Sequence, residues 1–507
     1  MSHKRTTGSR VTPIAFVALA LLVSEGFIAG CKVGPNYKRP DAPMAPSFKE
    51  QAAPSQPATT PPLDTPPPAG PGIGWKHAQP GDDQIRGKWW EAYGDPQLNT
   101  LEERVTISNQ TLKAALAQYT EAVAAVRVFR ANYFPQVSLS PSYSRTRASS
   151  NRPFGVPTKG NPYTDLLATG SASWEPDLWG DIRRTVQQSR ENAQASAADL
   201  ANAELSIRSE LAMDYFELRG LDTQKKLLDD TTDQYVRFLS LTQTRFRGGV
   251  ATDADVAFAQ TQLDQVRAQD IDVGVARAQF DHAIATLTGQ PASSFALEQD
   301  PLTLTLPTFP VGVPSEMLER RPDVAGAERR AAAANEQIGI DIAAYYPRLN
   351  LGGSGGVESA RPGNLFQGPS TLWSLGGSAT QILFDAGRRH ALTDQARAAY
   401  DAQTANYRQT VLQSFQDVED QLAALSILDQ EAAAQQQTVI DAERSLSIST
   451  NRYKGGLATY LEVIVAQATA LTNERTAADI TTRQFAASVQ LVKALGGGWQ
   501  NTQLPHP

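Results

Sequence analysis

One cysteine, Cys31, stands in a chain of 507 residues, so no internal disulfide framework can form. The five histidines, His3, His77, His282, His390 and His506, are scattered, and no Ser, Asp or Cys lies in a recognisable nucleophile motif, which argues against an enzyme. Gly352-Gly353-Ser354-Gly355-Gly356 has the glycines of a phosphate loop, but it lacks the lysine and sits in an alternating strand with no helix after it. The four methionines are not clustered, so nothing points to copper handling. A net charge of −7 argues against nucleic acid. Long apolar runs are missing too: the one candidate, Ile14 to Val23, has about half the residues a spanning helix needs.

That short run has a context. Lys4, Arg5 and Arg10 precede it, and Ile28-Ala29-Gly30 lead directly into Cys31, the pattern of a secretory signal ending in a lipobox. The expectation is a signal peptide at 1–30 and acylation of Cys31 by N-acyl and S-diacylglycerol groups, with no other cofactor and no metal. Lys32, rather than an Asp, after the cysteine favours export to the outer membrane. Residues 31–88 are rich in proline with little periodic apolar patterning, which predicts an extended segment and not a domain. Asp95-Pro96 then supplies a helix N-cap followed by proline at the first helical position.

The chain repeats itself. Arg245-Phe246-Arg247-Gly248-Gly249-Val250-Ala251-Thr252 returns 207 residues later as Arg452-Tyr453-Lys454-Gly455-Gly456-Leu457-Ala458-Thr459. Gly180 and Gly387, Leu218 and Leu425, Asp222 and Asp429, and Gln260 and Gln467 keep the same offset, and Tyr133-Phe134-Pro135 matches Tyr345-Tyr346-Pro347 a small insertion apart. Two halves, 89–310 and 311–499, therefore share one plan, with a short tail at 500–507. Each half reads as a helix, two strands and a long helical hairpin. Val186, Ala193, Leu200 and Ile207 fall seven apart, as do Ala197, Glu204, Leu211 and Leu218, a coiled-coil-like stripe with one polar lapse. Helix from Arg183 to Arg247 would run roughly 100 Å at about 1.5 Å per residue, with Gly220 a point of possible interruption.

Four segments alternate with period two, at about 135–145, 165–177, 347–357 and 372–384. Val137, Leu139, Pro141 and Tyr143 face one way and Ser138, Ser140, Ser142 and Ser144 the other; Trp373, Leu375, Gly377 and Ala379 alternate likewise with Ser374, Gly376, Ser378 and Thr380. A soluble sheet and a barrel wall both give this pattern. Tyr133, Phe134, Trp174, Trp179, Tyr345, Tyr346, Trp373 and Phe384, placed near strand ends, favour an interfacial girdle and hence the barrel. Four strands cannot close a membrane barrel, and an open edge in lipid leaves backbone groups unsatisfied. Three copies would supply twelve strands.

Several separate motifs carry a family resemblance: Cys31 through Pro40; Trp89-Trp90 with Tyr93-Gly94-Asp95-Pro96-Gln97-Leu98; Phe134-Pro135; Pro314-Ser315-Glu316 with Leu318-Glu319-Arg320-Arg321-Pro322-Asp323; and Lys493-Ala494-Leu495-Gly496-Gly497-Gly498-Trp499. Over essentially the whole mature chain the sequence resembles the TolC-like outer-membrane efflux family, in its NodT-type lipoprotein branch. The resemblance implies an α+β membrane protein: a homotrimer with a twelve-stranded β-barrel, four strands per chain, in the outer membrane and a long α-helical barrel in the periplasm. It implies a passive exit duct for small molecules, fed by an inner-membrane transporter of the resistance-nodulation-division class through a periplasmic adaptor, a membrane fusion protein.

By that resemblance the turns at 245–252 and 452–459 form the periplasmic tip, with Arg245, Gly248, Gly249, Val250, Thr252, Arg452, Gly455, Gly456, Leu457 and Thr459 as adaptor-contacting residues. Physically, paired glycines suit a turn that needs positive φ, and Thr252 and Thr459 suit helix caps. The periplasmic constriction maps to Asp253, Asp255, Leu461 and Glu462, where threefold copies of carboxylates would repel one another and attract cations. Val465 stands where some relatives carry a further Asp. Two other readings stay open, a type I protein-secretion duct and a structural periplasmic coiled-coil lipoprotein; the second leaves the four strands unexplained.

Overall fold

The computed structural model describes residues 31–43, 47–50, 87–149, 161–309, 320–499 and 503–505. The expected leader at 1–30, most of the Pro-rich stretch, the run Pro314 to Glu319 and most of the tail lie outside the described residues.

After a short turn at Trp89–Tyr93 come α1 (Pro96–Ser108) and α2 (Gln110–Arg130), the strands β1 (Gln136–Thr146) and β2 (Tyr163–Trp174), and the hairpin α3 (Asp181–Arg247) and α4 (Asp253–Leu287). The second half repeats this with α5 (Pro322–Ala343), β3 (Arg348–Ser359), β4 (Thr371–Thr380), α6 (Arg388–Lys454) and α7 (Tyr460–Ala494). Asp95 starts α1 as its sequence suggests: its carboxylate accepts from the amides of Gln97 and Leu98 at 2.8 and 3.2 Å, with Pro96 at the first position.

α3 and α6 are each 67 residues long, about 100 Å, and their return arms α4 and α7 are each 35 residues. A 67-residue helix cannot be covered by a 35-residue arm. The remaining length of α3 is covered by α2 and α5, and that of α6 by α5. Where the coverings meet, Trp89, Trp90, Tyr93, Leu98, Tyr215, Phe216 and Phe485 bury together; the Phe216 ring lies 4.8 Å from both Tyr93 and Phe485. Gly220 does not interrupt α3. The helix runs straight through it, and a Cβ there would collide with Thr482, so this glycine lets α3 and α7 approach closely.

The strands form one antiparallel sheet in the order β1-β2-β3-β4. Its register puts Val137, Ala172, Gly353 and Leu375 in one row and Leu139, Gly170, Gly355 and Trp373 in the next, all on one face. Ser138, Ser171, Ser354 and Ser374 make the neighbouring row on the opposite face, with hydroxyl contacts of 2.8 Å between Ser138 and Ser171 and between Ser354 and Ser374. The two faces are therefore sorted by polarity across all four strands, as a wall between lipid and water requires. β4 stops at Thr380, short of the expected 384, because β3 begins at Arg348, which pairs with Thr380 and leaves residues 381–384 nothing to bond in this sheet. β2 likewise ends at Trp174, while β3 extends to Ser359. Trp373 lies within the apolar face rather than at its border. Tyr133, Trp174, Trp179 and Tyr346 gather at the helical end instead: the Trp174 indole donates to the Tyr133 carbonyl at 3.0 Å, and Trp179 stacks on Tyr346 at 4.7 Å.

Candidate functional site

At the far end of the long helices the two repeated motifs fold alike. Gly249 and Gly456 adopt φ of 73° and 74°, while Gly248 and Gly455 stay near −80°. The second glycine of each pair is the one that needs the left-handed region. The bonds are those of a Schellman turn: Val250 N–H to the Arg245 carbonyl at 2.9 Å and Gly249 N–H to Phe246 at 2.9 Å, matched by Leu457 to Arg452 at 2.8 Å and Gly456 to Tyr453 at 3.0 Å. Val250 and Leu457, next in line, project outward, 68% and 76% exposed. Two equivalent apolar knobs thus stand at one end of the molecule.

The threonines begin the return helices. Thr252 caps α4, with its hydroxyl accepting from Asp255 N–H at 3.2 Å and the Asp255 carboxylate accepting from the Thr252 amide at 2.8 Å and hydroxyl at 2.9 Å. Glu462 reaches back to the Thr459 amide in the same way, at 3.3 Å. Its other oxygen lies 3.3 Å from Arg452. Asp255 and Glu462, expected at the constriction, therefore spend their carboxylates on their own caps. Asp253 is exposed in the first turn of α4, and Leu461 is 58% exposed. The equivalent of Asp253 in the second half is Tyr460, which is buried 5.4 Å from the Tyr453 ring; burial first, and Tyr453 second, raise its phenol above the usual range.

The two arginines differ. Arg245 crosses to the other repeat, donating to the Tyr453 carbonyl at 2.9 Å and lying 4.6 Å over the Tyr453 ring. Arg452 stays beside its own turn, near the Leu457 carbonyl at 3.4 Å and Glu462. Sequence reasoning placed both arginines at the tip but missed Tyr453 as the receiver; its position opposite Phe246 in the repeat was the available signal.

At the barrel end, Cys31 is exposed and its carbonyl accepts from Arg183 at 3.3 Å. The residues after it are zipped onto the body: Val33 N–H bonds the Trp179 carbonyl at 3.1 Å, and fully buried Arg184 donates to the Val33 carbonyl at 2.6 Å and pairs with Glu336 at 2.8 Å. Lys32 joins the same carboxylate at 3.2 Å. Cys31 is thereby held beside Trp179, where the strands give way to helices. This clamp had no signature in the sequence, since its partners are about 150 residues apart or more.

Among the described residues no group of three or more His, Cys, Asp or Glu side chains could hold a metal, and no helix is long and apolar enough to cross a membrane. What the geometry offers is a sorted sheet with two edges, β1 and β4, that want strands from other copies, continued by helices about 100 Å long.

Comparison with known proteins agrees. The sequence profile of the outer membrane efflux protein family matches residues 102–290 and 313–497, one stretch per repeat. The chain is 32% identical over 421 residues to the pyoverdine export outer membrane protein OpmQ of Pseudomonas aeruginosa, covering 82% of this chain and 88% of that one. It is 29% identical over 488 residues to the outer membrane protein OprJ of the same organism, covering 96% of each. Among solved structures, the outer-membrane channel OprN superposes with a TM-score of 0.82 at 26% identity, over 93% of this chain and all of that one. The outer membrane protein VceC of Vibrio cholerae gives 0.76 at 28% identity, over 81% and 99%. Both are outer-membrane proteins, OprN being described as a channel. With the duplicated hairpins, the polarity-sorted four-stranded sheet and these likenesses together, the chain belongs to the outer membrane efflux protein family and serves as the outer-membrane exit duct of an efflux system.

Proposed function

We propose that the tip docks a periplasmic adaptor of the membrane fusion class, which joins the duct to an inner-membrane transporter of the resistance-nodulation-division class. The observation that carries this is the pair of matching Schellman turns, which present Val250 and Leu457 as exposed apolar knobs in equivalent places. A trimer displays six of them, so a partner with a six-membered ring of apolar sockets meets every one. Relatives of similar sequence are named for pyoverdine export and for toluene efflux. Such unlike cargoes suit a passive conduit whose selection happens in the pump. We also propose that Cys31 carries the lipid, its site beside Trp179 delivering acyl chains at the inner edge of the barrel.

The test is photo-cross-linking from Val250 and Leu457 positions in intact cells. A covalent adduct with the adaptor encoded beside this duct is expected, together with an acylated Cys31 in the N-terminal peptide of the same preparation. Adducts that form from helix positions midway along α3 but not from the tip sink the docking reading.

A further inference from the structure

Just inside the tip, one exposed stripe of each return helix is apolar. Leu461 and Val465, one turn apart on α7, are each 58% exposed, while Tyr460, Val463 and Ile464 of the same turns are buried with Ala259 and Tyr453. The first repeat places Ala254 and Phe258 at the equivalent positions, and Phe258 is 52% exposed. Asp255 and Glu462 cap Thr252 and Thr459, and Asp253, exposed in the first turn of α4, holds the place of buried Tyr460 in the second repeat and so lies off this face.

The stripe changes chemistry along the helix. At about 100° per residue, Leu461 and Val465 share a face with Ala468, Thr469, Thr472 and Thr476, and Ala254 and Phe258 share theirs with Thr261, Gln262, Gln265 and Gln269. Both stripes pass from apolar to uncharged polar within about two turns. A seam between subunits has no reason to do so, and elsewhere the chain exposes Ile271 and Val275 on α4 and Ile427, Ile440 and Ile448 on α6, which suit such seams. A water-filled bore narrowing to a dry ring does.

We infer that Leu461 and Val465 of three subunits, with Phe258 at the place equivalent to Val465 in the first repeat, form an apolar collar that closes the resting duct by expelling water, in place of an acidic ring. This rests on the duct reading and specifies its constriction. A hydrated ion entering the collar must shed water and finds no polar group to replace it. Thr469, Thr472 and Thr476 each donate to the carbonyl four residues back, at 2.8, 2.8 and 2.9 Å, which leaves their oxygens free to accept from water above the collar.

The experiment uses full-length trimers, verified by native mass, in planar phospholipid bilayers under a KCl gradient. Val465→Thr, which wets the ring without adding charge, raises mean conductance severalfold and leaves the reversal potential unchanged. Val465→Asp raises conductance as much and shifts the reversal potential toward that of K+. Asp255→Asn with Glu462→Gln leaves both at the wild-type level. The collar is overturned if the two Val465 variants conduct as wild type, or if the amide pair alone abolishes cation preference. The duct itself is read separately, by export from a deletion strain carrying the wild-type chain. Failure there strikes the duct reading, while the bilayer results strike only the collar.

Discussion

The two tips are built from one motif and do two jobs. Arg245 reaches across to Tyr453 of the other repeat, whereas Arg452 serves its own turn and Glu462. The backbone is the same in both, down to φ at Gly249 and Gly456. Local sequence thus determines the turn, but the partner of each arginine follows from which helix end lies beside it. A duplicated motif in a pseudo-symmetric fold is free to divide its side-chain roles as long as its backbone role is kept.

The shared backbone gives the largest expected effect. Gly249→Val with Gly456→Val forces two β-branched side chains into the left-handed region, at about 1–2 kcal/mol per site or more. Export should fall at least tenfold, measured as accumulation of a substrate dye, with trimer and barrel intact on a native gel. Normal export from the double variant would mean that the turns need not hold their shape. The divided role predicts a smaller, unequal pair. Arg245→Ala loses a hydrogen bond and a ring contact and should weaken amide protection over 452–459 by about 1–2 kcal/mol. Arg452→Ala gives up an exposed ion pair, worth a few tenths of that. Equal losses by hydrogen exchange would erase the distinction between the two tips.

The smallest effect lies further along the same helices, where Asp214 of the first half corresponds to Gln421 of the second. Burial, then Glu210 and Glu217, push the Asp214 carboxyl up to about 6. The folded state therefore holds this proton more tightly than the unfolded chain. Its contribution is fully present below about pH 4 and is lost as pH rises through about 6. Asp214→Asn, a neutral amide like Gln421 of the other repeat, should flatten the fall in melting temperature between about pH 4 and about pH 6, by about a degree given partial exposure. An unchanged pH profile would show that the carboxyl is solvated in the trimer.

Much of this protein is written locally. Period-two alternation placed the four strands, since side chains of a strand must alternate between lipid and water. Heptad spacing placed Val186, Ala193 and Ile207 in the helical packing, and all three are buried. Gly-Gly followed by Val/Leu-Ala-Thr announced a turn and a cap because those conformations depend on single residues.

Contacts between distant segments were not legible. Gly220 looked like a helix break and proved to be a point of close approach, because only the position of Thr482 on α7 reveals why a side chain is forbidden. Nearer by, the acidic residues at the tip carried the charge of a selectivity ring, and Asp255 and Glu462 also accept from the amides of Thr252 and Thr459 three residues back. Arg184 buries beside Glu336 to clamp the segment after Cys31, a pairing that sequence distance hides. The sequence by itself determined which elements form and which faces are apolar, since these are set by neighbours within a turn or a strand. The tertiary structure decided which charges are spent and which groups still face water, because that depends on what the fold brings alongside.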